Sequence, residues 1–183
     1  MKPLYIFDLD GTLADIEHRR HLINPKCTEC DGKGTVEQRD CKSAIDCEAC
    51  KGTGKNDQKP DWPAFFRACV LDEPVWPVIN TMIALARQGA DIWIWSGRSA
   101  EVMNETRTWL QRFVPSDELE EIELCMRREG DFTPDEQLKA FWYDSLNEYD
   151  QRRLVAIFDD RQKVVNMWRE KGIACFQVAP GDF

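Results

Sequence analysis

No stretch of the 183 residues is long or apolar enough to cross a bilayer. The first residues, MKPLYIFDLDGT, hold one lysine and then a short apolar run that ends in acids. That is not the layout of a secretory leader, and a cytoplasmic protein is expected. Positive charge is also short. Lys and Arg number 24 against 33 Asp and Glu, for a formal net charge of −9. Such a balance repels a polyphosphate at long range and excludes a broad basic groove, so any nucleic acid must be gripped locally, at an end. Histidine is scarce: His18 and His21 lie close together and read as surface residues. The pattern G-x-x-x-x-G-K-S/T is missing. The run Gly52-Thr53-Gly54-Lys55 lacks the first glycine and ends in Asn56, so P-loop chemistry is not expected of these residues.

Large apolar residues are almost absent from about Pro25 to Lys59, where only Val36 and Ile45 interrupt Cys, Gly, Lys and Asp. Its seven basic and seven acidic residues cancel. Such a segment cannot build a hydrophobic core and needs a staple. It divides the chain into a core, 1–24 and 60–183, and an insertion, 25–59. The core has ordinary composition, and length enough to bury a sizeable interior. Short apolar runs at Leu4–Leu9, Ile92–Trp95, Ile122–Met126, Leu154–Phe158 and Ala174–Val178 read as buried strands. Helical patterns separate them at Val75–Gln88, Ala100–Phe113, Glu136–Leu146 and Gln162–Lys171. Strand and helix in alternation predict an α/β fold, a Rossmann-like parallel sheet with flanking helices. Ligands of such sheets sit beyond the carboxyl ends of the strands. Here those ends carry Asp8 and Asp10, Ser96, then Asp159 and Asp160. Each feature alone has a plain alternative. Asp-Gly and Ser-Gly are common in turns, and a double Asp often caps a helix. Their arrival in order at successive strand ends favours one shared site.

Asp8-Leu9-Asp10-Gly11-Thr12 is a DxDGT signature, and the chain thereby resembles haloacid dehalogenase-type phosphatases. Strand alternation puts both acids on one side, and two close acids can divide the roles of base and acid. The resemblance implies Asp8 as nucleophile, Asp10 as general acid and base, and Ser96 and Lys139 at the phosphoryl group. It also implies Mg²⁺ held by Asp8, Asp10, Asp159 and Asp160. A closer resemblance is to the 3′-phosphatase domain of the bacteriophage polynucleotide kinase-phosphatase family. It rests on FDLDGTLA at the start, WSGR at 95–98, MRREGD at 126–131, DEQLKAFW at 135–142 and IFDDRQKVVNMWREKGIACFQVAPGDF at 157–183. It implies substrate contacts from Arg19, Arg98 and Asp135, with Arg127 or Arg128 on the same rim. Location would then be the host cytoplasm if the protein is phage-encoded.

Cys27-x-x-Cys30-x-Gly-x-Gly and Cys47-x-x-Cys50-x-Gly-x-Gly are two copies of one motif, which resembles the zinc repeats of DnaJ-type chaperones. Two such knuckles make a closed four-thiolate site for structural Zn²⁺, and a reducing compartment disfavours disulfides. Cys41 reads as a spare thiol, and Cys69, Cys125 and Cys175 as core residues. Three functions were open on these grounds. The first is a polynucleotide 3′-phosphatase without a kinase domain, acting on a phosphorylated 3′ end. The second is a nucleotidase or small-molecule phosphatase with a zinc-stapled lid. The third is a nucleic-acid-binding adaptor, against which four converging aspartates count.

Overall fold

The computed structural model describes residues 1–37 and 43–181; Cys41 lies outside them. In chain order the elements begin with β1 (Leu4–Phe7), β2 (Ala14–Asp15), α1 (Glu17–Arg20), β3 (Thr35–Glu37), β4 (Ala44–Asp46) and α2 (Trp62–Arg67). They continue with β5 (Glu73–Pro74), α3 (Trp76–Arg87), β6 (Asp91–Ser99), α4 (Met103–Phe113), α5 (Ser116–Leu119) and β7 (Ile122–Arg127). The last are α6 (Asp135–Asp144), α7 (Glu148–Arg153), β8 (Leu154–Arg161), α8 (Gln162–Glu170) and β9 (Cys175–Gly181). The chain divides into two compact units, Met1–Ile16 with Cys69–Phe183, and Glu17–Ala68. The second is wider than the expected 25–59, because α1 and α2 cluster with the cysteine segment.

The first unit is built on a five-stranded parallel sheet of order β7-β6-β1-β8-β9. All five strands and the four long helices fall where the apolar periodicity places them. Alternation sends Leu4, Ile6, Trp93 and Trp95 to one face, where they pack with Val164, Val165 and Trp168 of α8. It sends Phe7, Ile92 and Ile94 to the other, with Ile79 and Met82 of α3 and Trp109 of α4. Burying each such side chain is worth about 1.5–3 kcal/mol, so both faces hold the sheet between helices. From β1 the chain crosses to β6 and β7 on one side, then returns to β8 and β9 on the other. The reversal opens a crevice at the carboxyl end of β1, where α/β sheets bind their ligands.

The second unit has a different economy. Its buried cluster is Cys27, Cys30, Cys47 and Cys50, with only Val36 among the described residues packed against it. Nearby in this unit, α2 starts on Asp61, whose carboxylate accepts from Ala64 N at 3.0 Å. It also stacks Trp62, Phe65 and Phe66 edge to face or tilted. The antiparallel pair β3 and β4 connects the two cysteine knuckles.

Candidate active site

The site begins where β1 stops. Asp8 is 5% exposed, and its N–H donates to Phe158 O at 2.8 Å, which ties the strand end to β8. Gly11 then turns the chain with φ of +87°, and a Cβ there would run into the Asp160 carboxylate. Only glycine satisfies both demands. Asp159 and Asp160, at the end of β8, are 0% and 1% exposed. One oxygen from each of Asp8, Asp159 and Asp160 falls within 4.8 Å of the others.

A buried lysine pairs with two of these acids. Lys139 of α6 is 2% exposed, and its Nζ donates to Asp8 Oδ1 at 2.5 Å and to Asp159 Oδ2 at 2.7 Å. Burial alone would lower the Lys139 pKa, but Asp159 and Asp8 outweigh it and hold the ammonium charged. Burial raises Asp8 well above the usual carboxylate range; Lys139 opposes, while Asp159 and Asp160 add to the rise. Burial and then Asp159 push Asp160 up to about 7. Three buried carboxylates, of which Lys139 pairs with Asp8 and Asp159 alone, present clustered oxygens to one point, and oxygen donors are what a hard divalent cation such as Mg²⁺ takes. The residues therefore fit such an ion.

Ser96, fully buried on β6, accepts from Arg98 N at 3.2 Å. Arg98 was expected at the substrate, yet its side chain is wholly buried and occupied by protein groups. It grips the Asp10 carboxylate with both Nε, at 3.3 Å, and Nη2. It also donates to Asp72 Oδ2 at 2.8 Å and to Thr106 Oγ1 at 3.1 Å. Burial would lower its pKa, and Asp10 and Asp72 more than offset that. Arg98 is thus placed to aim Asp10. Asp72 had no signal in the sequence, because a single Asp between α2 and β5 has no motif spacing. Trp109 Nε1 fixes it by donating to Asp72 O at 2.7 Å. Asp72→Ala removes one carboxylate from a buried network, and the expected loss is about 3 kcal/mol in urea unfolding. A loss below about 1 kcal/mol, the level of an exposed pair, would contradict the bracing role.

Asp135, at the start of α6, joins two arginines. It pairs with Arg127 Nη2 and with Arg161 Nη1. Gly97 is packed so closely beside Asp135 that a Cβ would overlap its carboxylate. Arg161 could have been found from the sequence, as the residue directly after Asp159-Asp160. Arg19 is 0% exposed within the second unit. Its guanidinium lies 4.1 Å over the Phe65 ring and donates to Phe65 O at 3.1 Å. His18 and His21 are exposed.

Residues 52–183 match the family described as "Polynucleotide kinase PNKP phosphatase domain". The chain belongs to that family. It is a phosphatase, and its fold is of the haloacid dehalogenase type. A chain in the Pnkp1/Rnl/Hen1 RNA repair complex superposes with a TM-score of 0.61 at 23% identity, over 100% of this chain and 44% of that chain. A second Pnkp1/Rnl/Hen1 structure gives 0.60 at 21%, over 100% and 48%. A haloacid dehalogenase-like family hydrolase from Streptococcus pneumoniae gives 0.50 at 12%, over 96% and 84%. At these identities the likeness is one of fold. The chain spans less than half the length of the two chains it matches in those complexes.

The cysteine cluster has the geometry of a metal site. Cys27 Sγ lies 3.9 Å from Cys47 Sγ, and Cys30 Sγ 3.7 Å from Cys50 Sγ. A tetrahedron with Zn–S bonds near 2.3 Å has edges of about 3.8 Å. All four are free thiols, far beyond disulfide distance. The two knuckles repeat each other. Gly34 N donates to Cys30 Sγ and Gly54 N to Cys50 Sγ, both at 3.2 Å. Cys27 N donates to Gly54 O and Cys47 N to Gly34 O, both at 2.8 Å. A Cβ on Gly34 would strike Gly52 O, and one on Gly54 would strike Gly32 O. Burial pushes the Cys30 thiol up to about 11. Against the same burial, the Gly54 N–H and the neighbouring thiols draw Cys50 down to about 7. Four thiolates cannot share this space without a cation, and the donor set fits Zn²⁺.

Proposed function

We propose that this phosphatase removes a 3′-phosphate from a polynucleotide end, with Mg²⁺, through an aspartyl-phosphate. The observation that carries the mechanism is the pairing of Asp8 with Lys139 beside an independently held Asp10. Lys139 engages Asp8 Oδ1, so the second carboxylate oxygen is the one presented to phosphorus. As that oxygen bonds to phosphorus, the bond to the leaving oxygen breaks, and Asp10 gives this oxygen a proton. Asp10 then takes a proton from the water that attacks the phosphorus and frees Asp8. Arg98 holds Asp10 in line for both transfers. Ser96 donates to a phosphoryl oxygen, and Lys139 balances the charge. Asp8, the Asp10 carbonyl, Asp159 and Asp160 would hold Mg²⁺, which would supply the positive charge that an anionic carboxylate needs in order to approach an anionic phosphate.

The polynucleotide assignment is supported by the family match over residues 52–183. In this reading the Glu17–Ala68 unit, stapled by Zn²⁺, acts as a cap that selects substrate, and the protein works in the cytoplasm. The test is phosphate release with Mg²⁺ from a 3′-phosphorylated oligonucleotide, compared with 3′- and 5′-mononucleotides. A higher kcat/KM on the oligonucleotide is expected. Preference for mononucleotides would replace the assignment with a nucleotidase, the reading that the net charge of −9 favours.

The metal assignment has its own signature in pH. Asp160 rises from an ordinary 3.8 to about 7 in the folded protein. Between those values the folded state holds a proton that the unfolded chain has released. Stability of the Mg²⁺-free protein therefore falls as pH rises through that window. Mg²⁺ competes with the proton, so its effect on Tm should be small at about pH 5 and large at about pH 8. Thermal scans with and without Mg²⁺ at both pH values check this; equal shifts would remove Asp160 from the metal site.

A further inference from the structure

Beyond β7 the chain makes a loop, Arg128 to Pro134, before α6 begins. Phe132 stands on it with 86% of its surface exposed, among Arg128, Glu129, Asp131 and Thr133. A lone ring in polar company is too small an apolar patch for a protein partner. Nor is the ring the by-product of a slack loop. Arg127 Nη1 donates to Asp131 O at 3.4 Å and to Thr133 O at 2.5 Å, the carbonyls on either side of Phe132. Thr133 N donates to Asp131 Oδ1 at 2.8 Å, and Asp131 N to Arg128 O at 3.1 Å.

The same guanidinium ties this loop to the phosphate crevice. Arg127 Nε donates to Gly97 O at 2.7 Å, between Ser96 and Arg98, and its Nη2 pairs with Asp135. One guanidinium thus lies between the backbone beside Phe132 and the turn that carries Ser96. The loop also leaves β7 at the carboxyl edge of the sheet, the edge on which Asp8, Ser96 and Asp159 end. An exposed aromatic ring is thus carried on a braced loop that leaves the sheet at the edge where the acids end.

We infer that Phe132 is a stacking platform for a base at the 3′ end of the substrate strand, and so a specificity residue for a polynucleotide over a simple phosphomonoester. This rests on the polynucleotide reading above. Base-aromatic stacking tolerates any sequence because it uses the face of the base and not the phosphate charge, which suits a protein of charge −9. Because the loop is already braced, little ordering opposes the stack.

Steady-state kinetics with three substrates test it: a 3′-phosphorylated oligonucleotide, the same strand with its last two bases replaced by abasic residues, and p-nitrophenyl phosphate. Phe132→Ala should raise KM on the normal strand about 10-fold, leave kcat near wild type, and leave p-nitrophenyl phosphate turnover unchanged. Phe132→Trp should keep the low KM. The abasic strand should cost the wild type a similar factor and cost Phe132→Ala almost nothing more, since both changes remove one contact. An unchanged KM in Phe132→Ala overturns the inference, and so do an equal loss on p-nitrophenyl phosphate or full additivity with the abasic strand. In those cases the 3′-phosphatase reading stands. Should the wild type cleave p-nitrophenyl phosphate but no oligonucleotide, the polynucleotide reading itself fails, and the platform with it.

Discussion

Asp8→Asn should reduce turnover by about 10⁴-fold or more while leaving the protein folded. The size follows from the chemistry: an amide oxygen cannot form the acyl phosphate, and no other carboxylate holds the same place at the end of β1. Asp10 is turned to Arg98, and Asp159 is bonded to Lys139. The stability half of the prediction follows from charge. Asp8 is buried beside Asp159 and Asp160, which push its pKa the same way as burial does. A neutral isostere relieves that repulsion, and Lys139 keeps Asp159 as a partner. The Mg²⁺-free variant should therefore melt no lower than the wild type by more than a few degrees. Rapid acid quench of the wild type should also find one phosphoryl group on the chain, and none on the variant. Turnover within tenfold of wild type would dismiss Asp8 as nucleophile.

Loss of the four-thiol site should have the largest structural effect in the molecule. Cys27, Cys30, Cys47 and Cys50 form the buried cluster of their segment, with Val36 the one described hydrophobic residue packed on it. Structural zinc contributes apparent free energies of about 10–16 kcal/mol in small domains of this kind. Nothing else among the described residues of that segment replaces it. Purified protein should carry one zinc per chain, and Cys50→Ser should carry none. Limited proteolysis of the variant should then cut first between Glu17 and Ala68. The proposed catalytic groups, Asp8, Asp10, Ser96, Lys139, Asp159 and Asp160, all belong to the other unit. Turnover of p-nitrophenyl phosphate should survive, and the preference for an oligonucleotide should weaken. A zinc-free variant with unchanged protease resistance would show that the cluster is not the staple.

The sequence by itself determined the sheet and the acids at its edge. Apolar runs of strand length, each ending in polar residues, can only be buried between helices, and their ends then share one rim. DxDGT in β1, the Ser-Gly-Arg turn and the Asp-Asp pair are local patterns, so they survive in one dimension. The repeated C-x-x-C-x-G-x-G is equally local as a pattern, although the backbone contacts that demand Gly34 and Gly54 run from one repeat to the other. Partner choice was not local. Arg98 is 88 residues from Asp10 and 26 from Asp72, and no spacing announces either pairing. Arg98 and Asp135, read as substrate contacts, turn out to be bonded to acids and bases of the protein itself. Arg19 is packed beneath the Phe65 ring, 46 residues on. Whether an arginine meets substrate or braces a carboxylate depends on which charges the fold brings within reach after water is removed. That selection belongs to the tertiary structure, as does the loop that leaves Phe132 in the open.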